Sequence, residues 1–358
     1  MLKDILLSLI ISFLVSSFLL PEIIKVALRY DISDVPDERK IHVRKIPRFG
    51  GLAIFFGFMI SVLLVTTYSE FRDIHLISYI IGSLLVVVAV GMRDDFLALR
   101  PLWKLVGQVL ACVMVMFLAK VKLTSLYGFL GVYEINDFAS YIITLFILIV
   151  ITNAYNLIDG IDGLAGTLAI LIFGFYGFWF AFLGSSYVSV LCFSIVGASL
   201  AFLRYNYSPA QIFMGDTGSL LLGFMAAVLT ILFLQQNYLL IESNVFKINT
   251  PVALVCAILA YPLFDTLRVF VVRIFQGRSP FSPDRNHLHH HLLNVGFSHL
   301  NATFVILAVE LVLVAFVFIV QAFRMDDTLL VGLILLMCLS FALFLLSTSV
   351  EKQAKTAD

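Results

Sequence analysis

Long apolar stretches alternate with short polar ones from one end of the chain to the other. A helix that crosses a bilayer needs about 20 mostly apolar residues. Eleven stretches approach that length, near 5–28, 50–67, 76–91, 105–119, 139–154, 164–182, 188–203, 219–234, 251–272, 302–323 and 329–346. Several are short, as tilted or re-entrant segments are. No internal repeat, low-complexity tract or soluble domain interrupts the pattern. It predicts an all-α integral membrane protein of about eleven transmembrane helices, with residues 1–358 forming a single polytopic membrane domain. Pro21 and Glu22, rather than a small-residue cleavage site, follow the first apolar run, so that run reads as a span and not as a removable signal peptide.

Composition agrees with the pattern. The chain is 61% hydrophobic and 13% charged, with a mean hydropathy of +1.04, against about 25% charged residues in an average soluble domain. Lys and Arg together number 23, as do Asp and Glu, so nothing supports a general attraction to nucleic acid. The four cysteines lie far apart inside apolar runs and read as small buried hydrophobes, not as disulfides or zinc ligands.

An odd number of spans puts the termini on opposite sides. Lys25, Arg29, Arg39, Lys40, Arg44, Lys45, Arg48, Arg93, Arg100 and Lys104 fall on one side, joined by Arg204, Arg268, Arg273, Arg278, Arg285, Lys352 and Lys355. Only Lys3, Arg72, Lys120, Lys122, Lys247 and Arg324 fall on the other. Positive charge accumulates on the cytoplasmic side, which predicts an N-terminus outside and a cytoplasmic C-terminus. The unusual polar clusters share that cytoplasmic side, in loops over 30–49, 92–104, 153–163, 204–218 and 273–300. An active site opening to the cytosol requires this.

Each cluster has a plain reading beside a chemical one. Asp94 and Asp95 end an apolar run, where carboxylates facing water form an interfacial cap beside Arg93. Adjacent carboxylates also hold magnesium, which uses one or two of them plus substrate phosphates, or deprotonate a phosphate. Asn153, Asn156, Asp159 and Asp162 recur every three residues, a spacing that lines one face of a helical segment. Such a stripe among apolar spans is costly unless it meets ligand or water, and Gly160, Gly163 and Gly166 allow a turn or a close approach. Asp216 opens a span, as a helix cap does. The same helix start, with Gly215 and Gly218, suits phosphate through free backbone N–H groups, and Asp216 suits a metal bridging to that phosphate. Phe213 suits stacking on a flat base. His287, His289, His290 and His291 make a zinc or nickel site, a solvated loop, or a phosphate-binding group near Asp284 and Arg285. The surrounding carboxylates and lack of thiols favour magnesium as the principal metal. The basic run with Lys40 and His42 marks topology and headgroup attraction, and secondly phosphate recognition.

Taken together, SDVPDERKIHVRKIPRFGG, MRDD, NAYNLIDGIDGLAG, FMGDTGS and SPDRNHLHHHL, in that order over residues 33–292, resemble the polyprenyl-phosphate N-acetylhexosamine-1-phosphate transferase family. Nearly the whole chain fits that family's eleven-span plan. The last motif, G-R-S-P followed by D-x-x-H-L-H-H, with Leu292 and Leu293 after the histidines, resembles the branch that uses UDP-N-acetylglucosamine for O-antigen, enterobacterial common antigen or teichoic acid. It departs from the P-[IL]-H-H-H-F-E form of phospho-MurNAc-pentapeptide translocase, the alternative within the family.

The resemblance implies transfer of a sugar-1-phosphate from a UDP-N-acetylhexosamine to undecaprenyl phosphate in the bacterial cytoplasmic membrane, with release of UMP. It implies Mg2+, with Mn2+ as a substitute, and a homodimer in the lipid bilayer. Asp216 would be the leading metal ligand, with Asp94 and Asp95 beside the lipid phosphate and Asp94 the base. Asp159 would lie near the nucleophile or the diphosphate, and Asp162 and Phe213 near the uracil. Asn153, Asn156, Lys40 and His42 would bind substrate. Arg278, Asp284, His287, His289 and His291 would close over the sugar and diphosphate, with His290 among the catalytic groups. From a different class, a transporter of divalent cations or anions also explains intramembrane carboxylates and broken helices, but it wants polar groups along a path through the membrane, whereas these gather on one face.

Overall fold

The computed structural model describes residues 1–30, 46–69, 74–279, 286–323 and 325–357. In chain order its helices are α1 (Leu2–Arg29), α2 (Gly50–Tyr68), α3 (Ile74–Phe96), α4 (Pro101–Leu118), α5 (Asp137–Leu157), α6 (Leu164–Phe182), α7 (Ser186–Asn206), α8 (Gly215–Leu239), α9 (Pro251–Ile258), α10 (Ala260–Phe275), α11 (Leu288–Val295), α12 (His299–Val320) and α13 (Asp327–Ala357). Among the described residues the only β pairing is an isolated bridge between Ser125 and Glu134. Among the described residues ten helices are long and apolar enough to cross a membrane, and α9 with α10 makes an eleventh segment bent by 77°. Each apolar stretch read from the sequence therefore has a helix in its place. The stretch near 251–272 is the one that breaks, at Leu259.

α8 is the axis of the bundle. Buried residues make up 94% of its apolar stretch, against 22% for α1 at the periphery. α2, α3, α5, α6 and α9 all pack against α8. α1 closes on α2 and α7 through small residues, with Ser61 Oγ donating to Ser8 O at 2.7 Å and Ser16 Oγ to Ala53 O at 2.9 Å. Between helices in lipid, attraction comes from close packing and such hydrogen bonds rather than from expelled water.

Helix starts follow one rule across the molecule. The first turn of a helix has N–H groups without intrahelical partners, and a bilayer offers no water to satisfy them. α5 and α12 cap themselves with Asn136 and Ser298. The helices that begin inside the bundle borrow acceptors from other elements instead. Gly50 N and Gly51 N of α2 donate to Phe213 O and Met214 O at 2.9 and 2.8 Å. Ala253 N of α9 donates to Asp327 of α13 at 2.8 Å, and Tyr261 N of α10 to Glu310 of α12 at 3.1 Å. Leu288 N of α11 donates to Asp265 of α10 at 2.9 Å.

Candidate active site

Asp94, Asp95, Asn156, Asp159 and Asp216 converge at one end of the bundle, where α3 and α5 end and α2, α6 and α8 begin. Small residues allow the approach. A Cβ on Gly91 of α3 would lie 2.7 Å from Asp216 O, and one on Gly51 of α2 would lie 2.1 Å from Gly218 N. Gly215 has φ +72°, and a Cβ there would sit 2.1 Å from Arg48 O, so only glycine fits that turn.

Lys104 of α4 occupies the centre. Its Nζ lies 2.8 Å from Asp216 Oδ2 and 3.2 Å from Asp94 Oδ2, so one ammonium bridges two carboxylates. Asn156 Nδ2 donates to Asp216 Oδ1 at 2.6 Å and to Ser219 Oγ at 2.7 Å. Asp94 Oδ1 accepts from Leu99 N at 2.6 Å, which turns the chain from α3 towards α4. These side chains are partly exposed, at 14% for Asp94, 18% for Lys104 and 26% for Asp216, so the cluster opens to solvent at the end of the bundle.

Asp95, adjacent in sequence to Asp94, has a different task. Its carboxylate accepts from Asp216 N at 2.7 Å, Thr217 N at 2.9 Å and Thr217 Oγ1 at 2.5 Å. From α3 it caps the first turn of α8. This corrects the expectation of free N–H groups at the start of α8 awaiting a phosphate. Two of them are bound to Asp95, and Thr217 is buried, so its donor left bare would be stranded.

The stripe of Asn153, Asn156, Asp159 and Asp162 does not lie on one helical face. α5 ends at Leu157, and Gly163, at φ +81°, starts α6, so the last two residues belong to the connecting turn. Asn153 pairs with buried Gln108, donating to Gln108 Oε1 at 2.7 Å and accepting from its Nε2 at 3.2 Å. Asp162 is buried, accepts from Ala210 N at 3.2 Å, and has an oxygen 3.5 Å from His299 Nδ1. Those contacts tie the turn to α12 and to the segment before α8. Phe213, half-buried, precedes α8 and accepts through its carbonyl from Gly50 N.

Asp159 is the exception. Among the described residues no hydrogen bond is made to its carboxylate, and Arg48 acts on it through space. Burial first, then Asp216, Asp95 and Asp162, push its carboxyl up to about 7. It therefore titrates near neutral pH.

The histidines lie on α11 and at its start. His287 Nδ1 is 2.8 Å from Asp265 Oδ2, and both side chains are buried. His289 is buried, with Nδ1 2.8 Å from the Tyr261 hydroxyl. Burial first, then His290 and the other nearby imidazoles, pull His289 down to about 3, so it is neutral. A Cβ on Gly160 would lie 2.3 Å from His289 Nε2, which places this ring directly against the Asp159 turn. His290 and His291 are half-buried, and Arg278 is exposed beyond the end of α10. Lys40, His42 and Asp284 lie outside the described residues. Among those described, no three or more His, Cys, Asp and Glu side chains are grouped to hold a metal ion. The oxygen pair of Asp94 and Asp216 around one cation remains.

Residues 76–234 match the family model glycosyl transferase family 4. The chain is 31% identical over 314 residues to the probable undecaprenyl-phosphate N-acetylglucosaminyl 1-phosphate transferase of Bacillus subtilis, covering 87% of this chain and 82% of that one. It is 33% identical over 297 residues to the decaprenyl-phosphate N-acetylglucosaminephosphotransferase of Mycolicibacterium smegmatis, covering 78% and 73%. The chain belongs to the polyprenyl-phosphate N-acetylhexosamine-1-phosphate transferase family. A third member, the undecaprenyl-phosphate alpha-N-acetylglucosaminyl 1-phosphate transferase of Salmonella typhi, is 31% identical over 282 residues, 76% of this chain and 72% of its own. The region matched to the family model contains every residue of the Asp94, Lys104, Asn156, Asp159 and Asp216 cluster, whereas α11 lies beyond it.

Several residues of this transferase carry a signal outside the motifs. Lys104 stands among the topology charges, yet a lysine and a glutamine four residues apart in an apolar span, Lys104 and Gln108, are a signal in themselves. Asp265 and Glu310, single carboxylates inside apolar spans, carried the same signal.

Proposed function

We propose that this protein transfers N-acetylglucosamine-1-phosphate, or a closely related N-acetylhexosamine-1-phosphate, from its UDP-sugar to a polyprenyl phosphate such as undecaprenyl phosphate. The products are a lipid-diphosphate-sugar and UMP. The observation that carries the reading is the Asp94–Lys104–Asp216 bridge, flanked by Asn156 and the titratable Asp159. The relatives' names agree with the acceptor and the sugar. The uneven distribution of Lys and Arg supports a cytoplasmic membrane location with the site facing the cytosol, where nucleotide sugars are found.

The residues present fit magnesium. Two carboxylates already share one cation, and all the donors are hard oxygens, the set from which Mg2+ is held by one or two carboxylates plus substrate phosphates. Asp216 and Asp94 would hold it, and when bound it would neutralise charge on the diphosphate. An acceptor oxygen attacks the β-phosphorus of the UDP-sugar, the bond from that phosphorus to the bridging oxygen breaks, and UMP departs with the electron pair. Joining a phosphate dianion to a dianionic diphosphate makes repulsion the main obstacle, so cations and in-line alignment contribute most. Lys104 is the protein's own cation for this role. The acceptor's second pKa is about 6, so a base contributes modestly, on the order of 100-fold. Asp159, at about 7, is better matched to holding that proton than Asp94, whose oxygens are engaged by Lys104 and Leu99 N.

The test is UMP release by the purified protein with undecaprenyl phosphate, Mg2+ and a panel of UDP-sugars. Release with UDP-GlcNAc that stops on chelation with EDTA is expected. Release only with UDP-MurNAc-pentapeptide would overturn the sugar assignment, and no release from folded protein would overturn the reading as a whole.

A further inference from the structure

Glu310 lies in the middle of α12 and plays no part in the site described so far. Its side chain is fully buried inside a membrane-crossing helix. An ionisable group there is expensive and calls for a task. Oε1 accepts from Tyr261 N at 3.1 Å, while Oε2 has no hydrogen-bond partner among the described residues. Beside it is a cavity of about 20 Å³, lined by Tyr261, Phe264, Leu288 and Cys338. That is room for one water, which needs at least about 10–15 Å³.

The contact falls at the 77° break between α9 and α10. The bent segment breaks at Leu259, and α10 begins again in the sequence Ala260-Tyr261-Pro262. Pro262 has no N–H to satisfy, and Tyr261 N is met only by bridging across to α12. Tyr261 is then held at both ends, its backbone by Glu310 and its hydroxyl against His289 Nδ1 at 2.8 Å. The other nitrogen of His289 abuts Gly160, next to Asp159. A continuous path of contacts therefore runs from the membrane interior to the reactive turn.

We propose that Glu310 is a positioning residue for the transfer reaction, fixing the α10 start so that Tyr261 holds His289 against the Asp159 turn. It touches no substrate and acts through Tyr261. The proposal rests on the reading that the Asp159 turn takes part in transfer. Loss of the contact lets His289 retreat from Gly160, and displacement of about 1 Å near a reacting centre can cost on the order of 100-fold.

The experiment compares Glu310→Gln, Glu310→Leu, Tyr261→Phe and the Leu/Phe double variant, each checked for a single symmetric elution peak in detergent. Two readouts are taken: kcat and KM for both substrates, and the rate of His289 modification by diethyl pyrocarbonate, read by mass spectrometry. Glu310→Gln keeps an acceptor oxygen and is expected to stay within about twofold of the parent. Glu310→Leu and Tyr261→Phe are expected to lower kcat about tenfold or more with little change in either KM, and to speed His289 labelling. The double variant is expected to be no worse than the poorer single one, since both changes cut the same path. Unchanged labelling in Tyr261→Phe and Glu310→Leu overturns the proposal, as does a glutamine variant as impaired as the leucine one, or additive losses. Should Glu310→Leu fail to fold, Glu310→Met takes its place under the same criteria. Faster labelling with undiminished kcat overturns the catalytic consequence. If the parent protein releases no UMP, the functional reading falls, and the labelling contrast still decides whether Glu310 holds His289.

Discussion

Replacing Asp95 with alanine separates a helix cap from a metal ligand. The substitution removes the acceptors for Asp216 N, Thr217 N and Thr217 Oγ1. Thr217 is fully buried, so its N–H finds no water, and a stranded buried donor costs about 1–3 kcal/mol. Asp216 is partly exposed, so its N–H can recover water and falls nearer the ordinary cost of a lost cap, about 0.5–2 kcal/mol. Together these come to about 2–5 kcal/mol. At about 2 °C per kcal/mol for a large chain, the Tm drops by about 4–10 °C. The assay is thermal unfolding in detergent followed by fluorescence-detected gel filtration. Asp216→Asn is the comparison, because it leaves the backbone N–H groups of α8 bound to Asp95. It is expected to abolish turnover while its Tm stays within about 2 °C of the parent. An Asp95→Ala protein as stable as the parent, or an Asp216→Asn protein that loses as much stability, would refute the cap assignment.

Activity is expected to rise with pH up to about 7, as Asp159 ionises, and then level off; Asp159→Asn is expected to shift this limb down to the acceptor's own ionisation at about 6 in a kcat/KM profile. The same group sets a stability trend. Its folded-state value lies above the ordinary 3.8, so ionisation disfavours the fold, and stability contributed here is full below about 4 and lost as pH rises to about 7. Asp159→Asn is therefore expected to melt higher than the parent at pH 8 and equal to it at pH 4. Lys104→Met removes the ammonium between Asp94 and Asp216, and turnover is expected to fall about 100- to 1,000-fold; an initial rate within threefold of the parent would take Lys104 out of the reaction. Gly160→Ala drives a methyl group to 2.3 Å from His289 Nε2. The ring must move, and a kcat about tenfold lower in a folded protein is expected from steady-state kinetics.

The spans were legible because lipid imposes one pattern on every crossing helix, and the break at Leu259 was not, because no residue inside 251–272 marks it except Pro262, three positions later. Residue types at the site were legible as well. Asn156, Asp159 and Asp216 stand out as polar groups where apolar ones are the rule. Their division of labour was hidden. Asp94 and Asp95 are chemically identical neighbours, and successive residues on a helix point about 100° apart. The position of α4 decides that one meets Lys104, and that of α8, more than a hundred residues later, that the other caps a helix. Asp162 and Asn153 look like Asp159 and Asn156 in the sequence, yet the first is pinned by His299 and Ala210 N and the second by Gln108. Partners at such separations leave no local trace.

The borrowed caps also set a timetable for biosynthesis. Asp95 leaves the ribosome long before the helix whose start it completes, while Glu310 and Asp327 emerge after the segments they secure. A nascent chain that already includes α8 carries Asp94, Lys104 and Asp216, yet α9 and α10 still await acceptors carried by α12 and α13. His289, held by Tyr261, inherits that wait. Arrested synthesis after α11 therefore leaves the starts of α9 and α10 without the acceptors that α12 and α13 carry.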